Sequence, residues 1–546
     1  MKIVGAWSGH DCSFCILENG YPVIHAEYER YIREKEPPGD SLKFLYNIYK
    51  DYSDIKYFST CYPRSKIEAY PESLKQIKQI VSSNKGSDFY IGHHQAHAAN
   101  VFFSSSFNDA LIITIDGGGI EDDYNSATAC TIWKGHGNKI ECLKTYSLRH
   151  INIGSLWTRS TRYIFQLQSG WPRGHQAGSV MAQAALGDPV KYFNDFYRML
   201  TKDIISAGKK PRNQPKGANT GNDPIHPYLD KWVKLAKNEQ TKYDIAAGLQ
   251  NATEVLIGKI IKKGLSLYSG SKNICLSGGV ALNSVAMGKI LNNFEQFDKI
   301  YISPTSHDGG LTIGSSQYVW HHILNNPRIK WEDNASPYLG IQYTNNDILN
   351  DIDKVKDKIN VVNSNDKEII NLLDQQNIIA VFGGGSESGR RALGNRSILA
   401  DPRSLKMKDL VNSKVKHRQW YRPFAPSILK EEVQNWFKKD IDSPYMSFVV
   451  KFKDNAKDKV PAVIHFDGTA RLQTVTQNDN LWYYNFLKQW QNKTGVPILL
   501  NTSFNDREPI CEIAEHALNC FLNTNIDYLY FYDEKLLISK KAKDEN

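Results

Sequence analysis

The amino-acid sequence predicts an α/β protein. Short apolar runs of strand character alternate along it with segments of helical period. Three of those runs lead into glycine-rich stretches carrying Asp or Ser, which sets small polar groups and bare backbone N–H groups around a crevice. With 546 residues, 41% hydrophobic and 23% charged, the chain is long enough for two large domains or about three ordinary ones. The composition is neither disordered nor collagenous, and no apolar run nears the roughly 20 residues of a membrane span.

Residues 3–24 read as a hairpin: an apolar strand, a loop at Ser8-Gly9-His10-Asp11, a second strand, then a Glu18-Asn19-Gly20 turn. The apolar start meets Gly9-His10-Asp11 too soon for a signal peptide, so a cytoplasmic protein is expected. Eight cysteines at this length do not make a disulfide framework. Cys12 and Cys15 form a lone C-x-x-C. Their odd spacing turns them to opposite faces of a strand, so two buried thiols are expected rather than a zinc or redox pair. Gly92-His93-His94-Gln95-Ala96-His97 opens a helix. Residues 110–115 form a buried strand that ends in Asp116-Gly117-Gly118-Gly119. Residues 273–276 form another, ending in Ser277-Gly278-Gly279 and leading into a helix over 280–291. Residues 299–302 form a third, with His307-Asp308-Gly309-Gly310 just beyond. Over 332–352 the composition turns polar and rich in Asn and Asp, which places a domain boundary near residue 345.

His93 and His97 are four residues apart, so they share one helical face and can grip one ion. Asp308, in its glycine loop, is the carboxylate expected to join them, giving a two-histidine, one-carboxylate set with positions left open for a ligand. The plain alternative is a cluster of capping or core histidines at a helix start.

Positive charge is concentrated. The net formal charge is +9, and between residues 385 and 424 ten Lys and Arg residues stand against three acids. Gly and Pro interrupt that run, which follows a buried strand over 378–382 and a glycine run, so an anion pocket is expected rather than a solvated face. A second zone, residues 142–187, holds no Asp or Glu. It interleaves Lys144, Arg149, Arg159, Arg162 and Arg173 with Trp157, Tyr163, Phe165 and Trp171, and a loop with Lys209, Lys210, Arg212 and Lys216 follows. Cations for phosphates and flat rings for bases suit a nucleic-acid surface. The competing reading makes the rings core and the arginines scattered surface.

Taken in order, these motifs resemble the O-carbamoyltransferases of the nodulation-protein U, cephamycin and tobramycin type. The early part carries Gly9-His10-Asp11-Cys12-Ser13, Ala26-Glu27 with Glu29-Arg30, His93 with His97, Asp116-Gly117-Gly118-Gly119, Leu276-Ser277-Gly278-Gly279-Val280-Ala281-Leu282-Asn283 and Asp308-Gly309-Gly310. The later part carries Arg391-Ala392-Leu393-Gly394-Asn395-Arg396-Ser397, Asp401-Pro402-Arg403, Lys416 with Arg418, Arg422-Pro423-Phe424-Ala425-Pro426, Ser443-Pro444-Tyr445-Met446, Asp467-Gly468-Thr469-Ala470-Arg471-Leu472-Gln473 and Asn501-Thr502-Ser503-Phe504-Asn505. Departures from the family pattern are Gly385 for an arginine, Arg390 for a proline, Glu36 for a histidine, Ser179 for a lysine and Arg507 for a glycine.

The resemblance implies an actin-like, two-lobed ATPase-type domain over residues 1–345 and a YrdC-like α/β domain over 346–546. In such enzymes the second domain uses carbamoyl phosphate and ATP, with Mg²⁺, to make carbamoyl-adenylate. The first, holding iron or a similar divalent ion such as zinc or manganese, passes the carbamoyl group to a hydroxyl. Carried over by motif position, Lys416, Arg422, Arg471, Asn501 and Ser503 hold carbamoyl phosphate and the nucleotide phosphates, with Arg391 and Arg396 nearby. Lys416 and Arg422 also serve catalysis there by neutralising charge. Gly118, Gly278 and Gly279 are nucleotide-loop candidates. His93, His97 and Asp308 map to the metal, and Asp116, His10 and Asp11 are the candidates for the base that deprotonates the acceptor. The basic-aromatic zone favours, as acceptor, a hydroxymethyl group on a nucleobase in DNA or RNA, flipped or single-stranded to be reached. The alternative acceptor is a sugar or natural-product hydroxyl. A homodimer is kept open, and no membrane partner is expected. More remote readings are tRNA threonylcarbamoylation, a sugar kinase and a non-enzymatic actin-fold nucleotide-binding protein.

Overall fold

The computed structural model describes residues 1–61, 71–121, 127–167, 176–201, 229–329 and 336–541. The chain divides into two compact units, Met1–Tyr21 with Glu36–Asp333, and Pro22–Lys35 with Asn334–Asn546. The division differs from a single cut near residue 345 in two respects: the main break falls between Asp333 and Asn334, and residues 22–35 go with the second unit. Hydrogen bonds and ion pairs of Glu27, Arg30 and Arg33, given below, account for the second.

The first unit contains two sheets with the same plan. In one, the strand Lys2–Trp7 pairs antiparallel with Ser13–Glu18 on one side and parallel with Ile55–Thr60 on the other, and Ser87–Tyr90 follows in parallel. In the other, Asp109–Gly119 pairs antiparallel with Thr128–His136 and parallel with Asn273–Ser277, and Lys299–Ile302 follows in parallel. This duplication is the arrangement an actin-like, two-lobed domain requires. The helix His93–Phe103 packs on the second sheet and Leu311–Gln317 on the first, and the two helices pack on each other. Their approach is close because residue 314 is glycine: a Cβ there would come within 1.9 Å of the Ala96 carbonyl oxygen. Almost every residue of both helices is buried, so the histidines of the first helix are fixed by packing.

Two local expectations change. Asp116-Gly117-Gly118-Gly119 is not a loop beyond the strand but its continuation, because after a bulge Gly119 pairs with Thr128. The expected helix over 280–291 is broken. A single turn, Gly279–Leu282, precedes the helix Ser284–Asn293, and Asn283 caps the latter by accepting the Ala286 N–H at 3.1 Å. Cys12 and Cys15 are buried and free, as the two-thiol reading has it.

The second unit is built on one mixed nine-stranded sheet. In spatial order its strands are Ile359–Asn363, Leu536–Lys540, Tyr528–Phe531, Ile379–Phe382, Arg396–Ala400, Ile498–Ser503, Ala425–Leu429, Thr469–Val475 and Phe448–Lys451. Its main core joins Trp490, Tyr483, Phe486 and Leu487 of the helix Leu481–Thr494 to Val381, Leu399, Leu499 and Tyr530 of the sheet. Among the described residues, no helix is long and apolar enough to cross a membrane.

Candidate functional site

In the first unit, four side chains converge. One ligand atom from each of His93, His97, Asp116 and Asp308 can be chosen so that all lie within 4.8 Å of one another. His93 and His97 come from the first turns of the helix His93–Phe103. Asp116 comes from the glycine-rich end of Asp109–Gly119, and Asp308 from the turn after Lys299–Ile302. Asp116 Oδ2 lies 2.9 Å from His93 Nε2 and 3.6 Å from His97 Nε2. Asp308 Oδ1 lies 3.6 Å and 3.4 Å from the same two atoms.

The donor set fits a divalent ion. His97 is fully buried; its Nδ1 has no hydrogen-bond partner among the described residues, and its Nε2 faces the two carboxylates at 3.4 and 3.6 Å, longer than good hydrogen bonds. Two imidazoles and two carboxylates suit iron, zinc or manganese. Burial alone would lower the His97 imidazole, yet Asp116 and Asp308 outweigh it and raise it to about 9. Burial would raise the Asp116 carboxyl, and contacts with His93 and His97 hold it well below its usual range instead. Asp116 therefore belongs with the donors. Asp116, expected as a candidate base, thus stands in the group that could hold an ion.

His10 and Asp11 stand at the rim. His10, half-exposed, places Nδ1 3.1 Å from Asp11 Oδ2 and Nε2 3.4 Å from Asp308 Oδ2. Desolvation opposes its charge, but Asp308, Asp11 and Glu36 raise it to about 10. His94, between the two ligand histidines, is a structural residue. Its Nδ1 meets Thr114 Oγ1 at 2.6 Å, its Nε2 meets the Thr128 carbonyl at 2.9 Å, and burial with His93 and His97 beside it lowers it to about 3.

The glycine candidates shape this centre. Gly279 donates its N–H to Asp116 Oδ1 at 2.9 Å, so that amide is engaged by the carboxylate. Gly278 takes φ +88°, and a Cβ on it would come within 2.2 Å of the Ile115 carbonyl oxygen; Gly118 takes φ +136° against Leu148.

In the second unit the predicted cations gather. Arg391, Arg422 and Arg471 form no ion pair among the described residues. Burial lowers all three, and the charges that act on Arg391 and Arg471 are other arginines: Arg390 and Arg422 on the first, Arg391 and Arg422 on the second. Half-buried positive charges crowded together are unfavourable until an anion enters. Lys416 is buried and donates to the Ser503 carbonyl at 2.9 Å and to the Asn505 carbonyl and Oδ1, both at 2.6 Å. Desolvation, with Arg418, Lys35 and Arg422 nearby, lowers it to about 7. Asn501 donates to Gln473 Oε1 at 2.8 Å and to Ser427 Oγ at 3.1 Å, while its own Oδ1 is buried without a partner. Ser503 Oγ donates to Asn505 Oδ1 at 2.7 Å.

Arg396 is the exception. It is fully buried, stacks on Phe382, and donates to the carbonyls of Gly383, Gly384, Asn395 and Glu512. Its guanidinium is used in holding chain segments together, which corrects its placement among the phosphate ligands. Glu387, just before the turn that carries Arg396, has a clear task. Its Oε1 accepts the N–H groups of Leu393, Asn395 and Arg396 at 2.7, 2.8 and 3.1 Å, and so fixes the Arg391–Arg396 turn.

The basic-aromatic zone is only partly a surface. Trp157 and Phe165 are buried, and Trp157 donates to Thr253 Oγ1 at 2.8 Å. These two rings are core, while Lys144 and Arg149 are exposed. Trp171, Arg173, Lys209, Lys210, Arg212 and Lys216 lie outside the described residues.

Two families match the sequence, carbamoyltransferase N-terminus over residues 61–317 and carbamoyltransferase C-terminus over residues 370–540. Nodulation protein NolO of Bradyrhizobium diazoefficiens is 32% identical, over 80% of this chain and 77% of that protein. Nodulation protein NolNO of Sinorhizobium fredii is 32% identical, over 81% of this chain and 62% of that protein. Among solved structures, full-length HypF in its phosphate- and nucleotide-bound form is 14% identical, covering 60% of this chain and 56% of that one, with a TM-score of 0.35.

Proposed function

This chain belongs to the carbamoyltransferase family, and from that premise we propose that it is an ATP-dependent O-carbamoyltransferase working through carbamoyl-adenylate. Carbamoyl phosphate and ATP, with Mg²⁺ and one water, give carbamoyl-adenylate as orthophosphate and pyrophosphate leave. The acceptor hydroxyl oxygen then bonds to the carbamoyl carbon, its proton is taken up, and AMP departs.

The observation that carries this reading is the set of half-buried arginines, Arg391, Arg422 and Arg471, which form no ion pair among the described residues. Two phosphorylated substrates supply the missing negative charge, and guanidinium forks match phosphate oxygens in pairs. Lys416, fixed by Ser503 and Asn505, adds a point charge aligned in advance. Catalysis there is positioning and charge neutralisation in a site that need not reorganise. In the first unit His93, His97, Asp116 and Asp308 would hold a divalent ion, which supplies Lewis acidity toward a carbonyl or phosphoryl oxygen. Asp308 and Asp11 orient His10 at the rim, where a protonated imidazole suits an anionic adenylate better than it suits proton abstraction.

For the acceptor, two classes stay in competition, a nucleobase hydroxymethyl group and a sugar or natural-product hydroxyl. The burial of Trp157 and Phe165 removes two of the rings that favoured the nucleobase and moves the weight toward a small acceptor. The test is to incubate the protein with ATP, Mg²⁺ and carbamoyl phosphate beside hydroxymethylcytosine-containing DNA, ordinary DNA and a panel of amino-sugars, and to look for the carbamoyl mass increment. Pyrophosphate release that depends on carbamoyl phosphate is expected. Its absence would sink the reading and favour a nucleotide-binding protein without turnover.

A further inference from the structure

The cation site is gripped by a segment from the other end of the chain. Glu27 Oε2 accepts the Gly389 N–H at 3.1 Å, and Arg30 Nη2 donates to the Gly389 carbonyl at 2.6 Å. Both polar backbone groups of the residue just before Arg390 and Arg391 are thus held by one short helix, Tyr28–Ile32, and its preceding residue. Arg30 also pairs with Glu27 at 2.9 Å and Glu512 at 3.5 Å, and all three charged side chains are buried. At the end of the same helix Arg33 donates from Nη2 to the Pro509 carbonyl at 2.6 Å and from Nη1 to the Ile510 carbonyl at 2.8 Å. Those carbonyls close the loop that starts at Asn505, and Asn505 holds Lys416.

One helical turn therefore ties down two loops. The first presents Arg391, the second the oxygens that aim Lys416. These cations repel one another while no anion is bound, so the loops that carry them tend to spread unless something fixes them. The carboxylates of Glu27 and Glu512 are engaged by Arg30.

We propose that Glu27, Arg30 and Arg33 are positioning residues of the anion site, a clasp that sets Arg391 and Lys416 before substrate arrives. The proposal rests on reading that site as one for phosphorylated substrates and extends it: residues 22–35 are part of the adenylate-forming machinery, although they precede nearly all of the first unit. Preorganisation of this kind shows in binding, because a loosened site must be ordered at the expense of affinity.

The experiment uses the full chain and inorganic pyrophosphate as probe, with affinity read by calorimetry and folding by thermal melting. Arg33→Met should weaken pyrophosphate about tenfold, since two charge-assisted hydrogen bonds are lost, with the melting temperature close to that of the parent. Arg33→Lys should lie between, because an ammonium reaches one carbonyl where the guanidinium reaches two. Glu27→Gln should weaken pyrophosphate as well, and if it does not fold, Arg33→Met decides. In the full reaction, Arg33→Met should raise KM for carbamoyl phosphate more than it lowers kcat. Pyrophosphate affinity within twofold of the parent in Arg33→Met overturns the clasp. A parent that binds pyrophosphate but turns over no carbamoyl phosphate overturns the proposed function, while the affinity ratios still judge the clasp. A parent that binds no pyrophosphate overturns both.

Discussion

His10 Nε2 lies 3.4 Å from Asp308 Oδ2, and the other oxygen of that carboxylate lies 3.4 Å from His97 Nε2. One aspartate thus serves the donor set with one oxygen and the rim histidine with the other. Replacing Asp308 by Asn keeps the shape and removes the charge. Asp308→Asn is expected to lower bound divalent metal at least about tenfold, as loss of one charged ligand does, with the helix content of the chain unchanged. Elemental analysis of the purified variant checks it, and full metal occupancy in Asp308→Asn would remove Asp308 from the donor set.

The backbone at Gly119 makes a steric prediction about the same centre. A Cβ there would come within 2.2 Å of the His93 ring, whereas a Cβ at Gly137 meets nothing within 4 Å. Gly119→Ala should therefore displace His93 and reduce metal content. Gly137→Ala should leave metal content alone and cost only the strain of its φ of +57°, about 1 kcal/mol. Equal metal content in both variants would contradict the placement of His93.

Lys416→Met should lower kcat/KM for carbamoyl phosphate about 100-fold, the usual effect of deleting a prearranged charged donor. It should leave the metal content of the first unit intact. Rate measurements on the same preparation as the elemental analysis separate the two. A change below about threefold would make Lys416 a structural residue.

A pH effect follows from the same side chain. Burial and the neighbours Arg418, Lys35 and Arg422 lower Lys416 to about 7, with Cys520 acting the other way, whereas an unfolded lysine titrates near ~10.4. Between these values the unfolded chain binds more protons, so this group makes stability rise with pH from about 7 to about 10 and leaves it flat below. A bound phosphoryl anion restores the charge. Pyrophosphate binding at pH 8 should then take up protons and weaken as pH rises. Calorimetry in buffers of different ionisation enthalpy measures this directly, and zero proton uptake would refute it.

Glu387→Ala should destabilise the second unit by about 2–3 kcal/mol, because three buried N–H groups lose their acceptor. Denaturant melts give the value. Glu387→Gln, which keeps one acceptor oxygen, should recover part of it.

Much of the first unit was legible in local pattern. Four-residue spacing put His93 and His97 on one helical face, and the glycine runs marked the strand ends that carry Asp116 and Asp308. Composition alone marked the 385–424 segment as rich in cations, and Arg391 and Arg422 of that segment come together with Arg471. What local pattern misread has physical causes. Trp157 and Phe165 looked like a stacking surface, because basic residues beside aromatic ones read the same whether the rings point out or in. Arg396 looked like a phosphate ligand beside Arg391, although five residues along a turn separate a guanidinium facing the anion site from one buried on Phe382.

By itself, then, the sequence determined the α/β class, the order of strands and glycine turns, and the residue types for a candidate anion site and a candidate metal site. These depend on periodicity and on short-range backbone geometry. Only the tertiary structure decided that Asp116 converges with His93, His97 and Asp308, and that Glu27, 362 residues from Gly389, holds the turn that precedes Arg390 and Arg391. Such choices depend on which distant groups are brought together in a low-dielectric interior. There a carboxylate's role is set by its neighbours and not by its position along the chain.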